Sequence, residues 1–181
     1  LAWAQTATPK AASAPASAAA VPLLPAVATV PGMPPVIDAK NLYSEQAAGK
    51  VQAAIATDLP RIYVPNLRGH DVHVIDPVTM KVVDRFKVGY SPQHIVPSWD
   101  MKTLWVTNNA ERRTDGSLTP IDPKTGKAGP AIDVDNPYNL YFSPDGKSAI
   151  VVAEARKRLD FRDPQTMALQ AELPVPGCRG V

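Results

Sequence analysis

From Arg61 onward the chain alternates short runs of Val, Ile, Leu and aromatic residues with clusters of Asp, Asn, Pro and Gly, the pattern of strands and turns. Within that region no stretch places apolar residues at helical spacing. In its best-defined part this pattern predicts four short strands, at 139–142, 148–153, 158–162 and 169–173. The region before Arg61 reads differently. Residues 6–36 are nearly all Ala, Pro, Ser, Thr and Val, and Lys10 is their only charge. Few large side chains and regularly spaced prolines leave the entropy of ordering such a segment poorly offset, so 1–36 is expected to be a flexible Ala/Pro-rich leader. Residues 37–60 form a transition, for which a short helix at 44–56 and a strand at 51–56 are the two expectations.

The strand pattern repeats. Asp76-Pro77-Val78-Thr79, Asp122-Pro123-Lys124-Thr125 and Asp163-Pro164-Gln165-Thr166 share the form Asp-Pro-x-Thr, at spacings of 46 and 41 residues. The segment Pro92 to Lys102 aligns without a gap to Pro137 to Lys147, at an offset of 45. A third set comprises Ile62-Tyr63-Val64-Pro65-Asn66, Leu104-Trp105-Val106-Thr107-Asn108 and Ala149-Ile150-Val151-Val152-Ala153. Asp-Pro-x-Thr suits a tight turn, because the Asp and Thr oxygens accept local N–H groups while Pro presets φ. Four short strands recurring every 40-odd residues are what a β-propeller blade requires. The fold class is therefore all-β, a partial propeller of about two and a half blades over 61–181. The first unit lacks an obvious innermost strand. Each blade buries its faces only against neighbours, so an incomplete set is expected to expose a blade face and a sheet edge. Gly69-His70 and Trp99-Asp100 do not recur and carry no repeat of their own.

The repeat resembles the YVTN family of seven-bladed propellers, which is similar to surface-layer and lactonase-like propellers. Trp105-Val106-Thr107-Asn108 is the closest copy of the motif that names the family, Tyr63-Val64-Pro65-Asn66 is next, and Val72-His73-Val74-Ile75-Asp76 matches its third strand. The resemblance implies a ring of blades of which this chain holds the N-terminal part. It specifies the blade and says little about chemistry.

Strand parity sorts the loops. Connections after the second and fourth strand of each unit emerge at one end, and the repetitive turns at the other. The first end collects Arg68 and His70, then Arg112 and Arg113, then Arg156, Lys157 and Arg158, with Tyr90, His94, Tyr138, Asn139 and Arg179 from the connections between units. Such cations suit a carboxylate, a phosphate or an anionic polymer. Equally, cations at hairpin tips guard against edge pairing. His94 and Asn139 hold equivalent positions on innermost strands, where they could line a central channel. His70 and His73 are three apart, a spacing that does not turn two strand side chains to one face, and no third metal ligand is near.

Composition narrows the class. Twenty prolines disfavour long helices, and one cysteine, Cys178, can close no internal disulfide and fits no zinc spacing. A net charge of +2 is too small to argue for nucleic acid as a partner, and the slightly basic balance leaves other polyanions open. Pro9, Pro15, Pro22, Pro25 and Pro31 interrupt the one apolar stretch, so no membrane span is expected. Ala2 and Ala4 have the Ala-x-Ala form of a cleaved export signal, so the protein is expected in the periplasm or outside the cell. Nucleophile elbows and phosphate loops are absent, so no cofactor and no catalytic residue is assigned. The expected function is a non-catalytic binding or interaction scaffold for an unidentified protein or anionic ligand. The alternative is the N-terminal part of a propeller enzyme, a lactonase-like hydrolase or a quinoprotein or haem oxidoreductase subunit.

Overall fold

The computed structural model of the protein describes residues 36–38, 40, 41 and 43–177. The leader expected over 1–36, apart from Val36, lies outside these residues, as do Cys178 and Arg179. Eleven strands form three antiparallel sheets. The first holds β1 (Ile62–Asn66), β2 (Asp71–Asp76) and β3 (Lys81–Lys87) in the order β1-β2-β3. The second holds β4 (Pro92–Pro97), β5 (Leu104–Asn108), β6 (Ser117–Ile121) and the short β7 (Ile132–Asp133), and the third β8 (Pro137–Phe142), β9 (Ala149–Ala153), β10 (Arg158–Arg162) and β11 (Leu169–Pro174), each in sequence order. The first strands gather on one side, since β4 lies beside both β1 and β8. This is the radial arrangement of propeller blades, and the four strands expected in the third unit fall within two residues of those observed.

The segment before β1 departs from both expectations. Neither a helix over 44–56 nor a strand at 51–56 forms; two single 3-10 turns, Ser44–Gln46 and Ala53–Ile55, stand in their place. Gly49 adopts φ +80°, which ends any helix between them, and an isolated segment this short is marginal as a helix in any case. The Ala-rich 51–56 run offers little to pack on a sheet. Its continuation is held instead to the second sheet, where the Leu59 N–H donates to the Pro123 carbonyl at 2.9 Å. Among the described residues β1 thus has no inner neighbour.

Strand alternation builds the core in two layers. Val106 points to one side of β5 and joins Val72 and Ile121, with Tyr63, Phe86 and Ile95, between the first and second sheets. Trp105 points to the other side and joins Leu118, Leu140, Val151 and Met167 between the second and third. Among the described residues no further sheet covers the outward faces of the first and third sheets. Register aligns Tyr141, Ile150, Phe161 and Ala171 across the third sheet, and Tyr141 is 49 % exposed. On the first sheet Ile62, Ile75 and Val82 form the matching row.

The repeated turns at the end called lower here are the same hydrogen-bonded device each time. Asp76 Oδ1 accepts from the Val78 and Thr79 N–H groups, Asp122 Oδ1 from Lys124, and Asp163 Oδ1 from Gln165 and Thr166, at 2.8 to 3.0 Å. The fifth residue of each turn, Met80, Gly126 or Met167, takes φ between +54° and +70° and donates its N–H to the Asp carbonyl. These donated N–H groups hold all three carboxyls below the usual carboxylate range. In the other lower turns Ser98 donates to Asp100 and Ser143 to Asp145, at 2.7 and 2.6 Å. Gly146 is required there twice over: its φ is +70°, and a Cβ would lie 2.2 Å from the Trp99 ring that packs across it.

Candidate functional site

The opposite, upper end carries the β1–β2, β5–β6 and β9–β10 loops and the connections between sheets, as strand parity requires. Its first unit is a stack. His70, in a left-handed backbone conformation at φ +51°, lays its ring on Tyr90 with centroids 4.0 Å apart and planes 26° apart. His70 Nδ1 accepts the Ser91 N–H at 3.1 Å. The Arg113 guanidinium sits over the same Tyr90 ring at 4.3 Å, and is held there by Asp115 through bonds of 2.7 and 2.5 Å. Arg113 in turn holds the Asp115 carboxyl below its ordinary range.

The second unit is a buried amide hub. Asn136 Nδ2 donates to the Asn109 carbonyl, to Asn109 Oδ1 and to the Glu111 carbonyl, and its Oδ1 accepts the Ala155 N–H. One side chain therefore ties the β5–β6 loop to the β9–β10 loop. Below the loops, Thr107 of β5 ties the second sheet to the third, donating from its Oγ1 to the Tyr138 carbonyl of β8 at 3.1 Å. These contacts fix the loops against one another before any ligand arrives.

The proposed cations divide into two groups. Arg156 forms two bonds to Asp135, at 2.7 and 3.0 Å, and Arg158 bonds Asp160 at 2.7 Å and Glu172 at 3.2 Å. With Arg113 they are committed to neighbouring carboxylates. Arg68, Arg112 and Lys157 are exposed and make no ion pair among the described residues. Asn139 is occupied locally, donating to the Tyr141 hydroxyl at 3.0 Å. His94 meets the edge of Tyr138 at 5.3 Å, and its Nε2 is buried without a partner. Arg179 lies outside the described residues. His73 Nε2 stands 3.6 Å from buried Asp71, and no group of three or more His, Cys, Asp or Glu among the described residues is arranged to hold a metal.

Asn136 and Asn109 escaped the reading of the sequence. A usable signal exists for Asn136: it precedes Pro137 as Ser91 precedes Pro92, one repeat apart, and both are buried at φ +50°. Asn is enriched in the left-handed region, so an Asn at that point of the repeat marks a special backbone position.

Three radially arranged sheets with repeated turns at one end and braced, cation-bearing loops at the other define a propeller. The sequence matches the YNCE-like beta-propeller family over residues 18–173, and the chain belongs to that family. No curated protein matches it. Solved structures it is similar to include hydrazine synthase of Kuenenia stuttgartiensis, at 26 % identity and a TM-score of 0.51 over 64 % of this chain and 33 % of that one. The dihydro-heme d1 dehydrogenase NirN, in complex with DHE, aligns at 22 % identity and 0.51, over 65 % and 25 %. A functionally unknown protein from Desulfotomaculum acetoxidans aligns at 13 % and 0.53, over 66 % and 38 %. This chain spans between a quarter and two fifths of those chains, and the two more distant likenesses speak for the fold alone.

Proposed function

We propose that the protein is a non-catalytic recognition scaffold whose upper-end loops bind an anionic ligand or an acidic patch on a partner protein. The observation that carries this reading is the exposed set Arg68, Arg112 and Lys157, without an ion-pair partner among the described residues and one from each successive upper loop, on loops already braced by Asn136 and by the His70–Tyr90–Arg113 stack. Braced loops lose little freedom on binding, which favours affinity. Arg113, Arg156 and Arg158 serve to shape these loops, and the ligand falls to the three unpaired cations.

The test is retention of the full-length protein on a phosphate- or carboxylate-bearing matrix, with Arg68→Glu, Arg112→Glu and Lys157→Glu combined. Loss of retention by about ten-fold or more at low salt is expected. Unchanged retention removes the reading. A second reading, part of a propeller enzyme, has one observation on its side, the buried and unpartnered Nε2 of His94 on an inner strand. It predicts that His94→Ala, with the three cations intact, abolishes the protein's activity while leaving retention unchanged.

The proposal also holds the protein to be exported, on the pattern of Ala2 and Ala4. Cell fractionation checks this: the protein is expected outside the cytoplasm, and recovery with cytoplasmic markers refutes it.

A further inference from the structure

The upper loops of the first and second sheets meet at Tyr90 and Ser91. His70 is fixed there at its backbone: its N–H donates to the Asn66 carbonyl at 2.9 Å and its carbonyl accepts the Val88 N–H at 3.1 Å. Its φ of +51° is one that few residues other than glycine adopt. From that fixed point Nδ1 accepts the Ser91 N–H at 3.1 Å while the ring lies on Tyr90 at 4.0 Å. The same two residues seat the β5–β6 loop, since the Ser91 carbonyl accepts from Asn109 at 3.1 Å and the Tyr90 carbonyl from Ala110 at 2.9 Å. Arg68 precedes His70 by two positions and Arg112 follows Ala110 by two, so this junction places two of the exposed cations.

An accepting Nδ1 requires a neutral ring with its proton on Nε2. On protonation both ring nitrogens become donors, and Nδ1–H then faces the N–H of Ser91, a residue only 3 % exposed. A buried N–H without an acceptor is costly, so the ring has to turn away. No anion around the ring compensates an imidazolium. Tyr90, from the β3–β4 connection, already carries the Arg113 guanidinium of the β5–β6 loop at 4.3 Å, and Arg113 is taken by Asp115. From β3, Lys87 adds positive charge, donating to the Gly69 carbonyl at 2.9 Å. Buried Asp71 of β2 is shared between Arg85 and Lys87. Among the described residues the only histidine beside a carboxylate is His73. The His70 ring is half-buried, so water reaches it and can deliver the proton.

We propose that His70 is a proton-sensitive latch of the upper loops: its neutral ring holds Ser91 and Tyr90, and its protonation releases the β1–β2 loop from them and loosens the seat of the β5–β6 loop. The latch stands on this geometry alone. Its consequence for ligand rests on the anion-binding reading above: acid weakens retention although it adds positive charge, the reverse of what a histidine touching the anion would do.

The experiment takes the full-length protein from about pH 7.5 to about pH 5.5, across the range in which an imidazole ordinarily titrates, and follows the His70 ring nitrogens and the Ser91 amide by NMR. At the upper pH the proton is expected on Nε2 and not on Nδ1. At the lower pH the Ser91 N–H is expected to lose about ten-fold or more of its protection against hydrogen exchange, relative to its intrinsic rate and in step with the His70 ring. His70→Asn keeps a residue that tolerates the left-handed backbone and an acceptor oxygen at the same branch of the side chain, but cannot titrate, so its Ser91 protection should stay level. If that variant does not fold, the ring nitrogens and Ser91 of the unaltered protein decide alone. A proton on Nδ1 at the upper pH, level Ser91 protection in the unaltered protein, or an equal fall in His70→Asn overturns the latch. Retention on the anionic matrix at both pH values tests the consequence separately, with a several-fold loss expected at the lower one. Retention that persists while Ser91 is released overturns that consequence, and no retention at either pH overturns the anion-binding reading, not the latch.

Discussion

Replacing Asp160 with asparagine is expected to lower the stability of the protein by about 3–5 kcal/mol, the usual consequence of removing one member of a buried charged network. Asp160 sits in the middle of β10 and is fully buried. Its two oxygens are divided between two guanidiniums, accepting from Arg158 Nε at 2.7 Å and from Arg162 Nη2 at 2.8 Å. An asparagine keeps one acceptor but turns an NH2 group toward the second guanidinium, donor facing donor. The two arginines differ in what remains to them. Arg158 keeps Glu172 at 3.2 Å and Asp135 at 3.9 Å, whereas Arg162, itself buried, keeps only the Met167 carbonyl at 2.9 Å. The uncompensated charge is therefore that of Arg162, and changing both residues, Asp160→Leu with Arg162→Met, should recover most of the loss. Urea denaturation measures both. A loss under about 1 kcal/mol for Asp160→Asn would show that the network is solvated in solution.

The contrast between Asp160 and the turn aspartates explains which parts of this structure the sequence discloses. Asp76, Asp122 and Asp163 bond to N–H groups two and three residues along, so the whole device lies within four letters and recurs with the repeat. The strands are legible for the same reason: β10 needs only its own alternation to define Arg158–Arg162. Contacts that join distant segments leave no such local trace. Nothing near Arg113 in sequence says that its guanidinium covers Tyr90, and nothing near Arg156 singles out Asp135, 21 residues away, as its partner. A count of upper-end cations was accordingly readable, while their division into bound and unbound was not. The segment at 51–56 failed for a different reason. With two alanines at its centre it has no strong preference, and tertiary contact at Leu59 decides its course.

The organisation of the core itself is tested by two adjacent residues of β8. Leu140 and Tyr141 point to opposite faces of the third sheet, Leu140 paired with Val151 and Tyr141 with Ile150. Leu140 is fully buried against Trp105 and Leu118 of the second sheet, while Tyr141 is half exposed on the outward face and bonded only to Asn139. Truncating Leu140 to alanine leaves a void between two four-stranded sheets whose backbones are fixed by their own ladders and by the Asn136 hub, so collapse around the void is limited. A loss of about 2–5 kcal/mol is expected. Tyr141→Ala removes a larger side chain and yet should cost less, about 1–2 kcal/mol, because about half of it stays in water and no neighbouring sheet among the described residues closes over it. Side-chain size alone would rank the two variants the other way, and burial against the neighbouring sheet reverses the order. Denaturant midpoints for the two single variants are sufficient. Equal losses would mean that the third sheet is covered on both faces, and a larger loss for Tyr141→Ala would mean that the second sheet does not pack where the Trp105 and Leu140 cluster places it.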